Sequence, residues 1–187
     1  AMEPDTTVAS IAVTPGTRSL ASFGESVQLS AVARNAGGTA LTTSVFSWDS
    51  SDPTVATVDA AGNVTAVADG TTSVTATAVG VQSNAVTVTV AQALGLIDVT
   101  PGQNTLPALG DTLVFTAAGT DALGNPMTGF TWTWATSNGG VASVDSDGVA
   151  TALASGSASV TATSGTVSGS ATLDVRPVPI ARLVMAD

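Results

Sequence analysis

The chain of 187 residues carries 14 acidic residues against four basic ones, a formal net charge of −10, and it contains no Cys, His or Tyr. The missing side chains exclude disulfides, thiolate nucleophiles and soft metal sites, and they leave a serine nucleophile without an ordinary base. All four basic residues are Arg, too few to form the cationic cluster that nucleic acid or anionic lipid requires, so neither is an expected partner.

The first half of the chain is predicted to consist of short β-strands separated by turns. A strand at residues 8–13 ends in the turn Thr14-Pro15-Gly16, and a longer strand at 26–34 presents alternate apolar residues on one face. The next strand carries Phe46 and Trp48, which point the same way because they are two residues apart. Shorter strands rich in Val and Thr complete this half, at residues 55–58, 64–67, 73–79 and 85–90.

The second half repeats the first at a constant spacing of 86 residues. The stretch 47–70 returns as 133–156 without an insertion, and Trp48 corresponds to Trp134 (134 − 48 = 86). A period of this length indicates two copies of one domain and not a solenoid of small repeats. We expect the two tryptophans to lie at the centres of the two cores.

The spacing of these elements predicts the fold class. Seven or eight short strands per copy, with turns every 6–12 residues and no helical period, predict an all-β protein of two tandem antiparallel β-sandwiches. We expect domains at residues 1–92 and 93–177, and residues 178–187 align with the start of a repeat and predict a truncated third copy. The short connection between the copies predicts an elongated arrangement, and we expect a monomer. No apolar run approaches the roughly 20 residues of a membrane helix, so direct membrane insertion is not expected.

A set of short motifs in the first copy is specific in combination. It comprises Val13-Thr14-Pro15, Val27-x-Leu29, Trp48 with Ser50 and Ser51, Val55-Ala56-x-Val58-Asp59, Gly62-x-Val64-Thr65-Ala66, and Gly70 with Val74-Thr75-Ala76. With these motifs the chain resembles the bacterial immunoglobulin-like group 2 (Big2) family of surface adhesins, stalk proteins and secreted multi-module enzymes. The resemblance covers both copies. It implies immunoglobulin-like sandwiches, an extracellular or bacterial cell-surface location, neighbouring repeats of the same chain as partners, and no catalytic residue.

One acidic segment of the second copy is a candidate calcium site. Asp145-Ser146-Asp147-Gly148 is similar to the start of an oxygen-rich metal loop, and Asp145 and Asp147 are the candidate ligands. Calcium takes six to eight oxygens, and the distant bidentate Glu of a helix-loop-helix site is missing. The alternative, which the pattern favours, is an Asp-Gly turn on a solvated acidic surface. No other cofactor is expected.

The aromatic residues of the second copy have two possible roles, in a glycan-binding site or in the core. Trp132 stands where the first copy has Phe46, and an exposed Trp can stack on a sugar ring. Phe130, Trp132 and Trp134 alternate along one strand, however, so we expect at least two of them to be buried in the core. The Val- and Thr-rich edge strands also leave open a partner that binds by strand addition.

Two functions from different classes follow. The first is a non-catalytic extracellular structural spacer or stalk module of a bacterial surface or secreted protein. The alternative is an adhesive binding module for calcium, a glycan or a host surface protein. Acidic pairs such as Asp49 with Asp52 lie at predicted turns and are not mirrored between the copies, so they do not indicate a glycosidase. A binding module gives a saturable ligand response, whereas a passive spacer does not.

Overall fold

The computed structural model describes residues 5–42 and 44–177, and in this part of the chain all regular structure is β-strand. The third repeat predicted at residues 178–187 lies outside the described residues. The chain divides into two compact units: the first runs to Ala93 and includes Asp121–Asn125, and the second comprises Leu94–Thr120 and the residues from Pro126 onward. The described residues include no helix that is long and apolar enough to cross a membrane.

The described part of the first unit is built from eleven short strands. Most of them alternate Val, Ala or Leu with Thr or Ser, a pattern typical of strands with one buried face. In chain order they are β1 (Ser10–Thr14), β2 (Thr17–Leu20), β3 (Ser26–Gln28), β4 (Ser30–Arg34), β5 (Ala40–Leu41), β6 (Ser47–Ser50), β7 (Ala56–Val58), β8 (Asn63–Ala66), β9 (Gly70–Ala78), β10 (Val81–Gln82) and β11 (Val86–Val90).

Three sheets of the first unit enclose one hydrophobic core. One sheet has the order β1-β4-β5, a second has the order β3-β8-β7, and the largest has the order β10-β9-β11-β2 with β6 also paired to β9. Along β9 the inward positions Val74, Ala76 and Ala78 are buried, while the threonines between them are partly exposed. The buried core residues, contributed by all three sheets, are Ile11, Val13, Leu20, Leu29, Ala33, Val55, Ala56, Val64, Ala66, Val74, Ala76, Ala78, Val86, Val88 and Val90.

The second unit, as far as residue 177, repeats this plan with ten strands. Its sheets have the orders β12-β15-β16, β14-β19-β18 and β13-β21-β20-β17, around a core that includes Phe115, Val160 and Leu173. The strands are β12 (Leu96–Thr100), β13 (Gln103–Leu106), β14 (Thr112–Val114), β15 (Thr116–Thr120), β16 (Pro126–Met127), β17 (Thr133–Thr136), β18 (Ala142–Val144), β19 (Val149–Ala152), β20 (Gly156–Ser164) and β21 (Val167–Val175).

Three details differ from the pattern predicted by the sequence. The described residues form eleven strands in the first unit and ten in the second, where seven or eight per copy are predicted. The strand predicted at 26–34 is divided at Leu29, whose amide donates to the carbonyl of Gly62 at 2.9 Å, so that β3 and β4 join different sheets. Each unit also contains one parallel pair among otherwise antiparallel ones, β2 with β11 and β13 with β21. The parallel pair arises because the chain changes sheet at Thr14-Pro15-Gly16, which places β2 beside the last strand of its unit.

Candidate functional site

The second unit contains an open groove with a volume of 540 Å³. Three segments line it: Phe115 to Ala117 at the junction of β14 and β15, Phe130 to Trp134 at the start of β17, and the turn between β18 and β19. The lining residues are Phe115, Thr116, Ala117, Phe130, Thr131, Trp132, Trp134, Ser146 and Asp147. This volume is within the range of small-molecule sites in proteins, roughly 300–1,000 Å³.

Three aromatic side chains form one wall of this groove. Phe130, Trp132 and Trp134 are two residues apart, and all three line the groove. The rings of Phe130 and Trp132 have centroids 5.4 Å apart and are tilted by 38°. Both tryptophans pack against the core of the unit, but all three side chains remain only partly buried. The expectation that at least two would be buried in the core holds only in part, since Trp132 and Trp134 pack against the core but are partly exposed, whereas Phe115 is fully buried.

A glycine holds the ring of Trp134 at the edge of the core. Gly148 has φ +80°, and a Cβ built on it would lie 2.5 Å from the carbonyl oxygen of Phe115 and 2.9 Å from Cε2 of Trp134. The first unit has the same arrangement, in which a Cβ on Gly62 would lie 2.6 Å from Cζ2 of Trp48. Each tryptophan thus packs against a glycine of a backbone turn and is partly exposed, and it does not lie at the centre of its core as the sequence predicts.

The acidic residues predicted as calcium ligands lie in the turn between β18 and β19. Asp145 accepts hydrogen bonds through Oδ1 from the amides of Asp147 and Val149, both at 2.9 Å. Asp59 in the first unit makes the same two bonds, to Ala61 and Asn63. Within the described residues there is no group of three or more His, Cys, Asp or Glu side chains that could hold a metal ion. The calcium assignment of Asp145 and Asp147 stays a prediction.

The carboxylate of Asp147 is available to bind a ligand in the groove. It is exposed, it lines the groove, and among the described residues no donor is hydrogen-bonded to it. The neighbouring Ser146 adds a hydroxyl on the same wall. The sequence pattern grouped Asp147 with Asp145, but the two carboxylates have different surroundings. Asp145 accepts hydrogen bonds from amides of its own turn, whereas Asp147 lines the groove.

The groove residues differ from their counterparts in the first repeat, 86 positions earlier. Phe130 corresponds to Ser44, Trp132 to Phe46, Ser146 to Ala60 and Asp147 to Ala61. The residues that maintain the fold do not change, since Trp134 and Gly148 correspond to Trp48 and Gly62. A comparison of the two copies could therefore have identified Phe130, Ser146 and Asp147 as a group from the sequence alone, because these three residues differ while the residues that maintain the fold do not.

Among the described residues of the first unit, one carboxylate is buried, that of Asp121. Its Oδ1 accepts from the amides of Leu123 and Asn125 at 2.9 Å, and its Oδ2 accepts from the amide of Phe23 at 3.1 Å and from Nε2 of Gln92 at 3.0 Å. Burial disfavours the charged form, but the donors, Gln92 and Asn125 foremost, outweigh it and hold the pKa of Asp121 well below its usual range. Every side-chain lone pair faces a donor, which indicates a structural role and not a proton-transfer role.

Comparison with known proteins shows one similar curated protein and several similar solved structures. Ice-binding protein 1 of Shewanella frigidimarina is 35% identical over 171 residues, which is 90% of this chain but only 19% of that protein. Two solved structures are similar at lower identity. Domains 4 and 5 of the S-layer protein SbsC are 24% identical, with a TM-score of 0.42 over 90% of this chain and 98% of that chain. The Escherichia coli adhesin FdeC is 21% identical, with a TM-score of 0.43 over 89% of this chain and 63% of that chain.

The family assignment rests on a separate match. The model of the bacterial Ig-like domain (group 2) matches residues 7–92 and 95–175, which together make up most of the chain. This match confirms the expected family and the expected all-β fold of two tandem immunoglobulin-like domains. The chain belongs to the bacterial Ig-like domain (group 2) family and contains two tandem copies of that domain.

Proposed function

We propose that this chain is a non-catalytic structural module of a bacterial surface or secreted protein, and that it acts as a load-bearing spacer between other parts of that protein. Each repeat, 1–92 and 93–177, acts as one domain whose partners are the neighbouring repeats of the same chain. Membership of the family supports an extracellular or cell-surface location. The match of this chain to only 19% of a longer relative is consistent with a module inside a larger protein.

The observation that supports a load-bearing role is the parallel pairing of an early strand with the last strand in each unit. In the first unit Thr17 to Leu20 pair with Thr87 to Val90. Two further bonds extend this pair, from the amide of Thr87 to the carbonyl of Gly16 at 3.1 Å and from the amide of Ala91 to the carbonyl of Leu20 at 2.9 Å.

The second unit has the same pairing. Gln103 to Leu106 pair in parallel with Thr172 to Val175. The amide of Thr172 donates to the carbonyl of Gly102, and the amide of Arg176 donates to the carbonyl of Leu106, both at 3.0 Å. The same set of bonds therefore closes both units.

Tension along the chain loads such a pair in shear. Because β2 and β11 are parallel, a force that pulls the amino-terminal side of β2 away from the carboxyl-terminal side of β11 slides the strands past each other. All bonds of the pair then resist together. An antiparallel pair whose two attachment points lie at the same end opens one bond at a time.

A single-molecule pulling experiment with two attachment geometries tests this proposal. The chain has no Cys, so cysteine pairs place the handles without competing thiols. Gly16→Cys with Ala91→Cys loads the β2–β11 pair in shear, and Gly16→Cys with Ala85→Cys opens the same pair from one end; all three sites are exposed. We expect the shear geometry to require clearly the larger force under reducing conditions. Equal forces in the two geometries would contradict a load-bearing role for this pair.

A further inference from the structure

We propose that the groove of the second unit, lined by Phe130, Trp132, Trp134, Ser146 and Asp147, is a binding site for an unbranched, uncharged oligosaccharide. This inference goes beyond the spacer role and does not depend on it, since no residue that lines the groove belongs to the parallel strand pair of this unit. Four features support it: the aromatic wall of the groove, its hydrogen-bonding groups, the different residues at the corresponding positions of the first repeat, and the charge of the chain.

The aromatic wall fits the apolar faces of sugar rings. The C–H groups on one face of a pyranose have partial positive charge, and they pack against the negative face of an aromatic ring. Phe130, Trp132 and Trp134 follow one another along the chain at two-residue spacing, and the rings of Phe130 and Trp132 have centroids 5.4 Å apart. A row of partly exposed rings is suited to a chain of successive sugar units more than to a single small molecule.

The polar groups of the groove fit a ligand with many hydroxyls. The hydroxyls of Thr116, Thr131 and Ser146 can donate or accept, and the carboxylate of Asp147 accepts only. An exposed carboxylate without a donor among the described residues is available to accept from two adjacent sugar hydroxyls. Sites of this kind combine an aromatic surface with a few polar groups that fix the orientation of the ligand.

The two repeats of this chain give an internal comparison. The first repeat keeps the residues that build the fold, Trp48 and Gly62, but has Ser44, Ala60 and Ala61 in place of Phe130, Ser146 and Asp147. The fold can therefore be built without these three side chains. They converge on one groove from two separate segments, at 130–134 and 146–147, and the most direct explanation is a ligand that touches both.

A proline-rich peptide is the other ligand class that stacks on aromatic grooves. Such a segment presents backbone carbonyls but few N–H groups, because proline has none. The acceptor-only carboxylate of Asp147 then has nothing to bind, whereas sugar hydroxyls donate to it. The net charge of −10 also disfavours acidic glycans, so we assign the site to uncharged ones.

Tryptophan fluorescence gives a direct test, since two of the three Trp residues line the groove. The full chain is titrated with cellohexaose, chitohexaose and maltohexaose, and with a ten-residue polyproline peptide. We expect a saturable change with at least one hexasaccharide and none with the peptide. Asp147→Ala and Phe130→Ser, which install the residues of the first repeat, should each weaken that binding about tenfold or more.

The control variant is Asp98→Ala, which removes an exposed carboxylate of the same unit outside the groove. It should leave the affinity unchanged, and all three variants should keep the melting temperature within a few degrees because the replaced side chains are at least partly exposed. The proposal is overturned if none of the three hexasaccharides gives a saturable response. It is equally overturned if polyproline binds in their place, or if Asp147→Ala and Asp98→Ala bind alike.

Discussion

Gly148 lies in direct contact with the ring of Trp134, so closely that a Cβ at this glycine would be 2.9 Å from Cε2 of the indole. The same glycine has φ +80° and would place its Cβ 2.5 Å from the carbonyl oxygen of Phe115. Turn geometry and aromatic packing are therefore fixed by one residue.

Gly148→Ala should destabilise the second unit by roughly 2–4 kcal/mol, since it combines a strained positive φ with overpacking against backbone. The matched control is Gly110→Ala, where φ is +84° but a Cβ meets nothing within 4 Å. It should show only the strain of about 1 kcal/mol. Thermal unfolding measures the difference, at about 4–8 °C per kcal/mol for a domain of this size. Equal losses in the two variants would contradict close packing of Gly148 on Trp134.

Val79→Asn should stabilise the first unit. Val79 and Gly80 form a two-residue hairpin loop between β9 and β10, and both have positive φ, 50° and 79°. A β-branched residue is strained there, whereas Asn-Gly is the preferred pair for such a turn. The side chain of Val79 is 88% exposed, so the change removes no core packing.

We expect a gain of about 0.5–1 kcal/mol and a rise of a few degrees in the melting temperature of this unit. Val45→Asn is the control, because Val45 is 87% exposed and does not have a positive φ. If both variants raise the melting temperature equally, the gain comes from loss of an exposed apolar side chain and the strain argument fails.

Asp121 should make the stability of the first unit depend on acid pH. Its folded-state pKa lies below the ordinary value of 3.8, so the charged form contributes stability that is fully present above about pH 4. That contribution is lost as the pH falls through the folded-state pKa. Asp121→Asn should strongly destabilise the protein at pH 7, because the side-chain NH₂ of the asparagine would face N–H donors. The difference in free energy of unfolding between the variant and the parent chain should become smaller below about pH 4.

Urea unfolding between pH 2 and pH 7 measures this dependence. Asp98→Asn removes one exposed charge and is the control for net charge. If the difference in free energy of unfolding between the parent chain and Asp121→Asn stays constant across this range, ionisation of Asp121 does not contribute to stability.

The calcium hypothesis for Asp145 and Asp147 is tested by thermal unfolding in EDTA and in about 10 mM CaCl₂. A site with a Kd near 10⁻⁴ M would add about 2.7 kcal/mol at that concentration and raise the melting temperature by about 10 °C or more. We expect no such rise, because Oδ1 of Asp145 is already bonded to two amides and calcium requires six to eight oxygens. A rise that is absent with Mg²⁺ and lost in Asp147→Ala would establish a calcium site.

The repeat, the strand pattern and the family could be predicted from sequence, because they depend on local order and a fixed spacing. Trp48 and Trp134 are 86 residues apart with no insertion, so two copies of one domain were evident. Which strands pair with each other was harder to predict. Alternation of apolar residues in β2 and β11 shows which side faces the core but not which strand lies beside which, and the parallel pair joins Leu20 to Val90.

Side-chain surroundings could be predicted least. Asp121 is polar and lies in an expected loop, but the donor at Phe23 is 98 residues away in sequence, and no local pattern connects them. Trp134 was expected at the core centre because large aromatics bury the most area, whereas the contact with Gly148 keeps it at the edge. Asp147 was paired with Asp145 by proximity in sequence, although only Asp147 lines the groove.

The most direct test of the load-bearing claim is single-molecule stretching of the chain from its two ends. Because a parallel pair closes each unit, we predict two all-or-none events, each releasing at most about 300 Å, the length of one 86-residue repeat at about 3.6 Å per residue. Gradual lengthening, or many small steps as strands detach one after another, would contradict the claim that these domains bear force as units.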